Sequence, residues 1–290
     1  MKQLFDELSY SVSKITTQKY STSFSLGILA LNSSIRKAIY AIYGYVRLAD
    51  EIVDSFHEYD KEKLLNRLKQ ETDNALQEGI SLNPILQSFQ ETVHQYAIDK
   101  SLIDQFLHSM EMDLQQVDYD SELYKEYIFG SAEVVGLMCL QVFVNGNKEK
   151  YEELKPYAMK LGSAFQKINF LRDLKDDYQI LGRTYFPNID MNVFDNAVKC
   201  EIETEIEEEF KEALIGIKKL PSSSIFGVYL AYKYYFSLFK KIKRKSSKEI
   251  LNSRVRIPNY EKACVAFRSY VRYKTAYYRL LKNAIRYADR

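Results

Sequence analysis

Hydrophobic positions along this chain recur at intervals of three and four residues, the period of an amphipathic α-helix, with little of the strict alternation that a half-buried strand requires. On that pattern helices are expected near residues 3–15, 34–56, 60–77, 84–96, 101–115, 121–144, 156–178, 193–219, 225–245 and 259–287. Start signals support several of them. Asn83 before Pro84 reads as an N-cap followed by the first helical residue, and Asp120-Ser121-Glu122 can cap the next run. Pro156 is expected to open a helix, which would separate the acidic segment 148–154 from that helix. Ten glycines and five prolines in 290 residues are too few turn residues for an all-β protein, and no repeat or low-complexity linker divides the chain. The expected architecture is all-α, a single-domain helical bundle over residues 1–290.

Two of these helices carry candidate chemistry. Residues 166–177 read Gln-Lys-Ile-Asn-Phe-Leu-Arg-Asp-Leu-Lys-Asp-Asp, so Gln166, Asn169, Asp173 and Asp177 stack on one side while Phe165, Ile168 and Leu171 supply apolar positions. Carboxylates at the edge of a core need a partner, and a hard divalent cation completed by waters and a substrate phosphate suits several of them at once. A second Asp-x-x-x-Asp stands at Asp50 and Asp54, beside a stripe that includes Ile39, Ile42, Tyr43, Val46 and Val53. Taken alone, Arg47 with Asp50 or Glu51 reads equally well as an ordinary surface ion pair. His57, His94 and His108 lie at no zinc-ligand spacing.

Together these stretches resemble the two aspartate-rich regions of the squalene and phytoene synthase family, the head-to-head prenyl synthases. The first is Tyr43-x-x-x-Arg47-x-x-Asp50-x-x-x-Asp54 and the second is Gln166-x-x-Asn169-x-x-Arg172-Asp173-x-x-x-Asp177. The likeness continues through Gly182-Arg183-Thr184-Tyr185-Phe186-Pro187 and runs from near Ser21 to near Tyr260. It implies a helical bundle of the isoprenoid synthase type with a central apolar cavity. It also implies that Asp50, Asp54, Asp173 and Asp177 hold Mg²⁺, with Mn²⁺ as an alternative, and that Arg47, Arg172 and Arg183 set positive charge beside a diphosphate. Tyr43 and Tyr127 are implied to steer the second half of the reaction, and Gln166, Asn169, Tyr235 and Arg254 to line the substrate site. Tyr20–Ser25 is, by its residues, a hydroxyl-rich loop suited to capping; the resemblance implies that Ser21, Ser23 and Phe24 contact a diphosphate. Met110-Glu111-Met112-Asp113-Leu114 is similar to a stretch of phytoene synthases. Glu51 is expected to turn outward, and Glu133 has no ligand role assigned to it.

Composition narrows the rest. A net charge of +2 predicts no strong polyanion partner, so no nucleic acid is expected. Three cysteines, Cys139, Cys200 and Cys264, show no framework spacing and suit a reducing cytoplasm. Lys2, Asp6 and Glu7 argue against a secretory leader, and the apolar runs Leu26–Leu31 and Val134–Val144 fall short of the roughly 18–20 residues of a membrane span. Twenty-four tyrosines and a basic C-terminal third suit peripheral contact with a membrane as well as a solvated face. Oligomeric state is not set by the sequence.

By resemblance, two prenyl diphosphates condense through a cyclopropyl intermediate to a head-to-head hydrocarbon. Two geranylgeranyl diphosphates giving phytoene is the favoured reading; squalene or dehydrosqualene from farnesyl diphosphate is the alternative, with NADPH required only for squalene. A reading of another class is an inactive helical assembly factor, which would have eroded metal ligands; all four aspartates and Arg47 are present.

Overall fold

The computed structural model describes residues 2–115, 119–179, 185–187 and 194–288, with side chains placed throughout except at 176–179 and 276–288. In chain order the helices are α1 (Lys2–Tyr20), α2 (Thr22–Leu29), α3 (Ser33–Asp54), α4 (Lys61–Glu78), α5 (Pro84–Tyr96), α6 (Lys100–Leu114) and α7 (Ser121–Ile128). A π-helical turn (Phe129–Glu133) then leads into α8 (Val134–Phe143), α9 (Lys148–Gln179), α10 (Asn196–Ile217), α11 (Ile225–Lys243), α12 (Ser247–Asn252) and α13 (Asn259–Ala288). No strand occurs among the described residues. The caps at Asn83 and Asp120 form as expected, each accepting hydrogen bonds from the first turn of its helix.

Three differences from the expected pattern have local causes. Pro156 lies inside α9 rather than at its start. A proline there removes one backbone hydrogen bond and costs on the order of 3 kcal/mol; Leu154 and Tyr157 on either side are anchored in a cluster with Leu137, Leu140 and Val144, which holds the helix through it. Secondly, α1 runs to Tyr20, beyond the last apolar position of its pattern. Its buried face is made of Ser9, Ser13 and Thr17, whose hydroxyls bond within the protein: Ser9 to the Phe5 carbonyl at 2.8 Å, Thr17 to the Ser13 carbonyl at 2.9 Å, and Ser13 with Ser88 at 2.8 Å. Thirdly, the hydroxyl-rich stretch after Tyr20 forms a helix, α2, with Ser21 as its N-cap, accepting from the Phe24 N–H at 3.2 Å.

Two apolar clusters flank a central space. One joins α3, α4, α5, α6 and α8 around Tyr45, Phe89 and Phe106; the other joins α7, α9, α10 and α11 around Ile168, Phe210 and Phe239. The segment Ser121–Phe143 is long and apolar enough to cross a bilayer by length and composition, which a search for uninterrupted apolar runs passes over. It is a core segment. It packs against α6 and α9, and Ser131, Val135, Gly136, Cys139 and Phe143 face the central cavity. Close packing is required at its π-helical turn: a Cβ on Gly130 would lie 2.7 Å from the Gln105 carbonyl, and one on Gly162 of α9 would lie 2.8 Å from the Ala132 carbonyl.

Candidate active site

Helices α3 and α9 carry the two aspartate motifs to the same cavity, whose lining includes Arg47, Asp50 and Asp54 from one helix and Gln166, Asn169, Arg172 and Asp173 from the other. The cavity has a volume of about 640 Å³. On α9 the lining extends from Asp173 down to Leu154, nineteen residues or about 28 Å of helix at the usual rise. All the charged lining residues lie towards the Asp173 end; beneath them come Val46, Val135, Leu161 and Phe165, and then Phe143, Leu154 and Ile217. The result is a charged mouth over a deep apolar shaft.

The two carboxylate sites differ in how they are neutralised. Asp173 is paired by Arg172 from its own helix, with Nε at 2.9 Å, and by Arg254 Nε at 2.7 Å from the segment after α12. Asp50 has Arg47 at 3.8 Å, while Arg47 also makes a shorter contact to Glu51 and stacks on the Tyr20 ring at 4.3 Å. Glu51 therefore folds back onto Arg47, off the cavity lining, rather than turning out into water. The Asp50 side chain is 32% exposed, but that surface opens into the cavity. Burial, followed by Asp54 and to a lesser extent Asp113, pushes its carboxyl up to about 7 against the opposing pull of Arg47.

Aromatic rings frame the mouth. Tyr235 stacks on Phe165 at 3.8 Å, and its hydroxyl donates to Asn169 Oδ1 at 3.4 Å; Asn169 in turn donates to Gln166 at 3.3 Å. Phe24 sits 5.4 Å from Tyr43 and 5.9 Å from Tyr235, ring to ring. Burial and the nearby Asp50 push the Tyr43 phenol up to about 12, so it stays protonated. Across the cavity, Tyr127 donates to Asp113 Oδ2 at 2.8 Å and Tyr185 to Oδ1 at 3.1 Å. Burial, and then Asp113, hold the Tyr127 phenol well above its usual range.

The structure brings Ser21, Phe24, Tyr43, Arg47, Asp50, Asp54, Tyr127, Gln166, Asn169, Arg172, Asp173, Tyr235 and Arg254 to this one cavity. Ser23 is half-buried on α2 and lies outside the lining. The Asp177 side chain and Arg183 lie outside the described residues. Asp113 and Tyr185 have no role on sequence grounds, although both stand in family-like stretches; the signal for Asp113 was an acid among methionines on a buried helix face, an arrangement that calls for hydrogen-bond donors. Lys167, between the motif residues, points the other way, to the buried Glu209, which Ser163 also bonds, and to Glu205 at the surface.

The donor set suits Mg²⁺ bound in one particular manner. Among the described residues no three acidic, histidine or cysteine side chains converge tightly enough to hold an ion by themselves. Mg²⁺ commonly takes one or two carboxylates and completes its shell with water and substrate phosphate; the clustered Asp50 and Asp54 on one wall and Asp173 on the other fit that mode.

An all-helical bundle enclosing an apolar shaft under two carboxylate-bearing helices is the isoprenoid synthase type of fold. The chain belongs to the squalene/phytoene synthase family, whose model matches residues 17–261. It is 27% identical over 206 residues to a 4,4'-diapophytoene synthase of Staphylococcus haemolyticus, covering 69% of each chain. It is 24% identical over 280 residues to the phytoene synthase of Arthrospira platensis, covering 88% of this chain and 90% of that one. Against the chloroplastic phytoene synthase 1 of Solanum lycopersicum, 27% identical over 244 residues, the match spans 77% of this chain and only 58% of the plant protein. Among solved structures, a dehydrosqualene synthase shares the fold with a TM-score of 0.79 at 20% identity, over 93% of this chain and 98% of that one.

Proposed function

We propose that the protein condenses two prenyl diphosphates head to head, and that the substrates are two geranylgeranyl diphosphates and the product phytoene. The observation that carries the reaction class is the placing of Asp50, Asp54 and Asp173, with Arg47, Arg172 and Arg254, around the mouth of a deep apolar cavity. Asp50, Asp54 and Asp173 would hold Mg²⁺, or Mn²⁺ in its place, which would supply Lewis-acid assistance to loss of diphosphate.

The chain's own residues account for the rest. Arg47 and Arg172 are fixed positive charges where the leaving group gains negative charge, and each is already oriented by a carboxylate partner. The apolar walls keep water from the allylic cation. A second substrate then attacks that cation, proton loss gives a cyclopropyl diphosphate, and a second ionisation, rearrangement and loss of a further proton give phytoene, the diphosphates and protons being released. Asp113 holds the Tyr127 and Tyr185 hydroxyls at the cavity wall, and with Tyr43 opposite they orient this second half. Two features support the longer substrate. An extended geranylgeranyl chain spans roughly 20 Å, at carbon–carbon bonds near 1.5 Å, within the depth of the shaft. The Arthrospira platensis phytoene synthase is matched over nearly its whole length.

Incubation with Mg²⁺ and farnesyl or geranylgeranyl diphosphate, with and without NADPH, followed by mass analysis of hexane extracts, tests this. A C40 product formed without NADPH is expected. A C30 product would replace it with dehydrosqualene, or with squalene where NADPH is needed. Absence of both hydrocarbon and released diphosphate, in folded protein with metal supplied, would leave the assembly-factor reading.

We also propose peripheral contact with an anionic membrane through α13, in a protein working in the cytoplasm. Residues 259–288 carry seven basic side chains against one acidic, and Phe267 and Tyr270 are 70% and 49% exposed.

A further inference from the structure

The far end of the cavity holds a fitted closure. Tyr157 of α9 lines the shaft sixteen residues before Asp173, about 24 Å down the helix axis. It is seated against Gly216 of α10: a Cβ on that glycine would fall 2.2 Å from the Tyr157 Cβ and 2.7 Å from its Cγ, so the ring can stand there only because residue 216 has no side chain. Beyond the ring lies the outer surface, where Lys219 sits 5.4 Å from the ring centre and pairs with Glu153 at 2.9 Å. Tyr157 thus stands near the far end of the apolar shaft, between it and an exposed ion pair. Leu140, Leu154 and Leu220 complete the apolar wall at this end.

We propose that Tyr157, held by Gly216, sets the longest prenyl chain the cavity accepts. The inference rests on the proposed reaction only in taking the charged mouth as the diphosphate end. Some ångströms of the 24 Å axis belong to the diphosphate head, which leaves room for an extended C20 chain of roughly 20 Å, whereas a C25 chain of roughly 24 Å would run into the ring at ordinary carbon–carbon bond lengths. Removing the ring lengthens the shaft towards the Lys219–Glu153 pair. Keeping the ring while losing its hydroxyl leaves the ceiling in place, because the closure is steric.

The test compares wild type, Tyr157→Ala and Tyr157→Phe with farnesyl, geranylgeranyl and geranylfarnesyl diphosphates, reading products by mass. Competition binding of the unreactive thiodiphosphates of the same three chains is read in parallel, and melting temperatures check folding. The expected result is a rise of at least tenfold in C25 use and C25 affinity relative to C20 in Tyr157→Ala, with Tyr157→Phe unchanged from wild type. A folded Tyr157→Ala whose C25-to-C20 ratio stays at the wild-type value in both readouts overturns the proposal, as does a wild type that already accepts C25 as well as C20. If no hydrocarbon forms with any chain, the head-to-head reaction fails as a reading, and the binding ratios alone decide the closure.

Discussion

Asp50 and Asp173 look alike in the sequence, and their surroundings make them different residues. Asp173 is bracketed by two guanidinium groups, whereas Asp50 lies beside Asp54 and shares Arg47 with Glu51. Asp50→Asn and Asp173→Asn are both expected to lower diphosphate release by roughly 10²–10³-fold or more, the scale for losing one electrostatic contact at a reacting centre. Their stabilities should move in opposite directions at pH 8: Asp50→Asn relieves repulsion and raises the melting temperature, while Asp173→Asn weakens two arginine pairings and lowers it. A fall in both would show that Asp50 is compensated in the free protein. Lys167 offers a second contrast. Its side chain is 3% exposed and its ammonium bonds Glu209, whose other oxygen Oε2 is buried without a hydrogen-bond partner among the described residues. Lys167→Met should destabilise by about 3–5 kcal/mol, and adding Glu209→Met should recover most of that, since a buried pair replaced as a unit costs little. Denaturant titration of the two variants checks both parts.

At the scale of elements, the π-helical turn between α7 and α8 is the point where α6 and α9 approach closely, with Gly130 against the Gln105 carbonyl and the small Ser109 side chain. Gly130 admits the backbone of α6 and Gly162 of α9 admits the turn itself. Glu133 closes this turn with no ion pair among the described residues. Burial, and then Glu209, push its carboxyl up to about 7 from an ordinary value of 4.5, with Lys160 and Lys167 offsetting only part. The native state thus holds a proton that the unfolded chain loses at lower pH. Stability from this group declines as pH rises from about 4.5 to about 7 and is level above that. Glu133→Gln should match the wild type at pH 5 and exceed it by about 1–2 kcal/mol at pH 8, read from thermal unfolding at the two pH values. An equal gain at both pH values would place the effect in packing instead of charge.

For the whole molecule, the arrangement is an apolar shaft with one charged end and, on the outside, a basic aromatic helix. The proposed hydrocarbon product would have little solubility in water, so a surface that rests on lipid would shorten its path. Binding to vesicles containing phosphatidylserine should be strong at low salt and weak at high salt. Replacing Arg268, Arg272 and Lys274 by glutamine should weaken it by roughly 3 kcal/mol, about 100-fold, at about 1 kcal/mol per basic residue. Binding that is equal on neutral vesicles, or unchanged by salt, would remove the electrostatic part of this proposal. Co-sedimentation measures both.

Helical class and most helix positions were legible in the amino-acid sequence, because a 3.6-residue period reports which face of each helix is buried, and the two aspartate motifs were legible by their resemblance to the family. The caps at Asn83 and Asp120 were legible for the same reason: they depend on residues within one turn. What the sequence concealed involves contacts between separate elements. The full length of α1 depends on a serine and threonine face that no hydrophobic pattern registers, and the passage of α9 through Pro156 depends on neighbours in α8. The pairing of Arg254 with Asp173, the two tyrosines on Asp113 and the closing of the shaft by Tyr157 over Gly216 join residues 14 to 81 positions apart. Local composition determines which way a side chain faces on its own helix; only tertiary packing decides what it meets there.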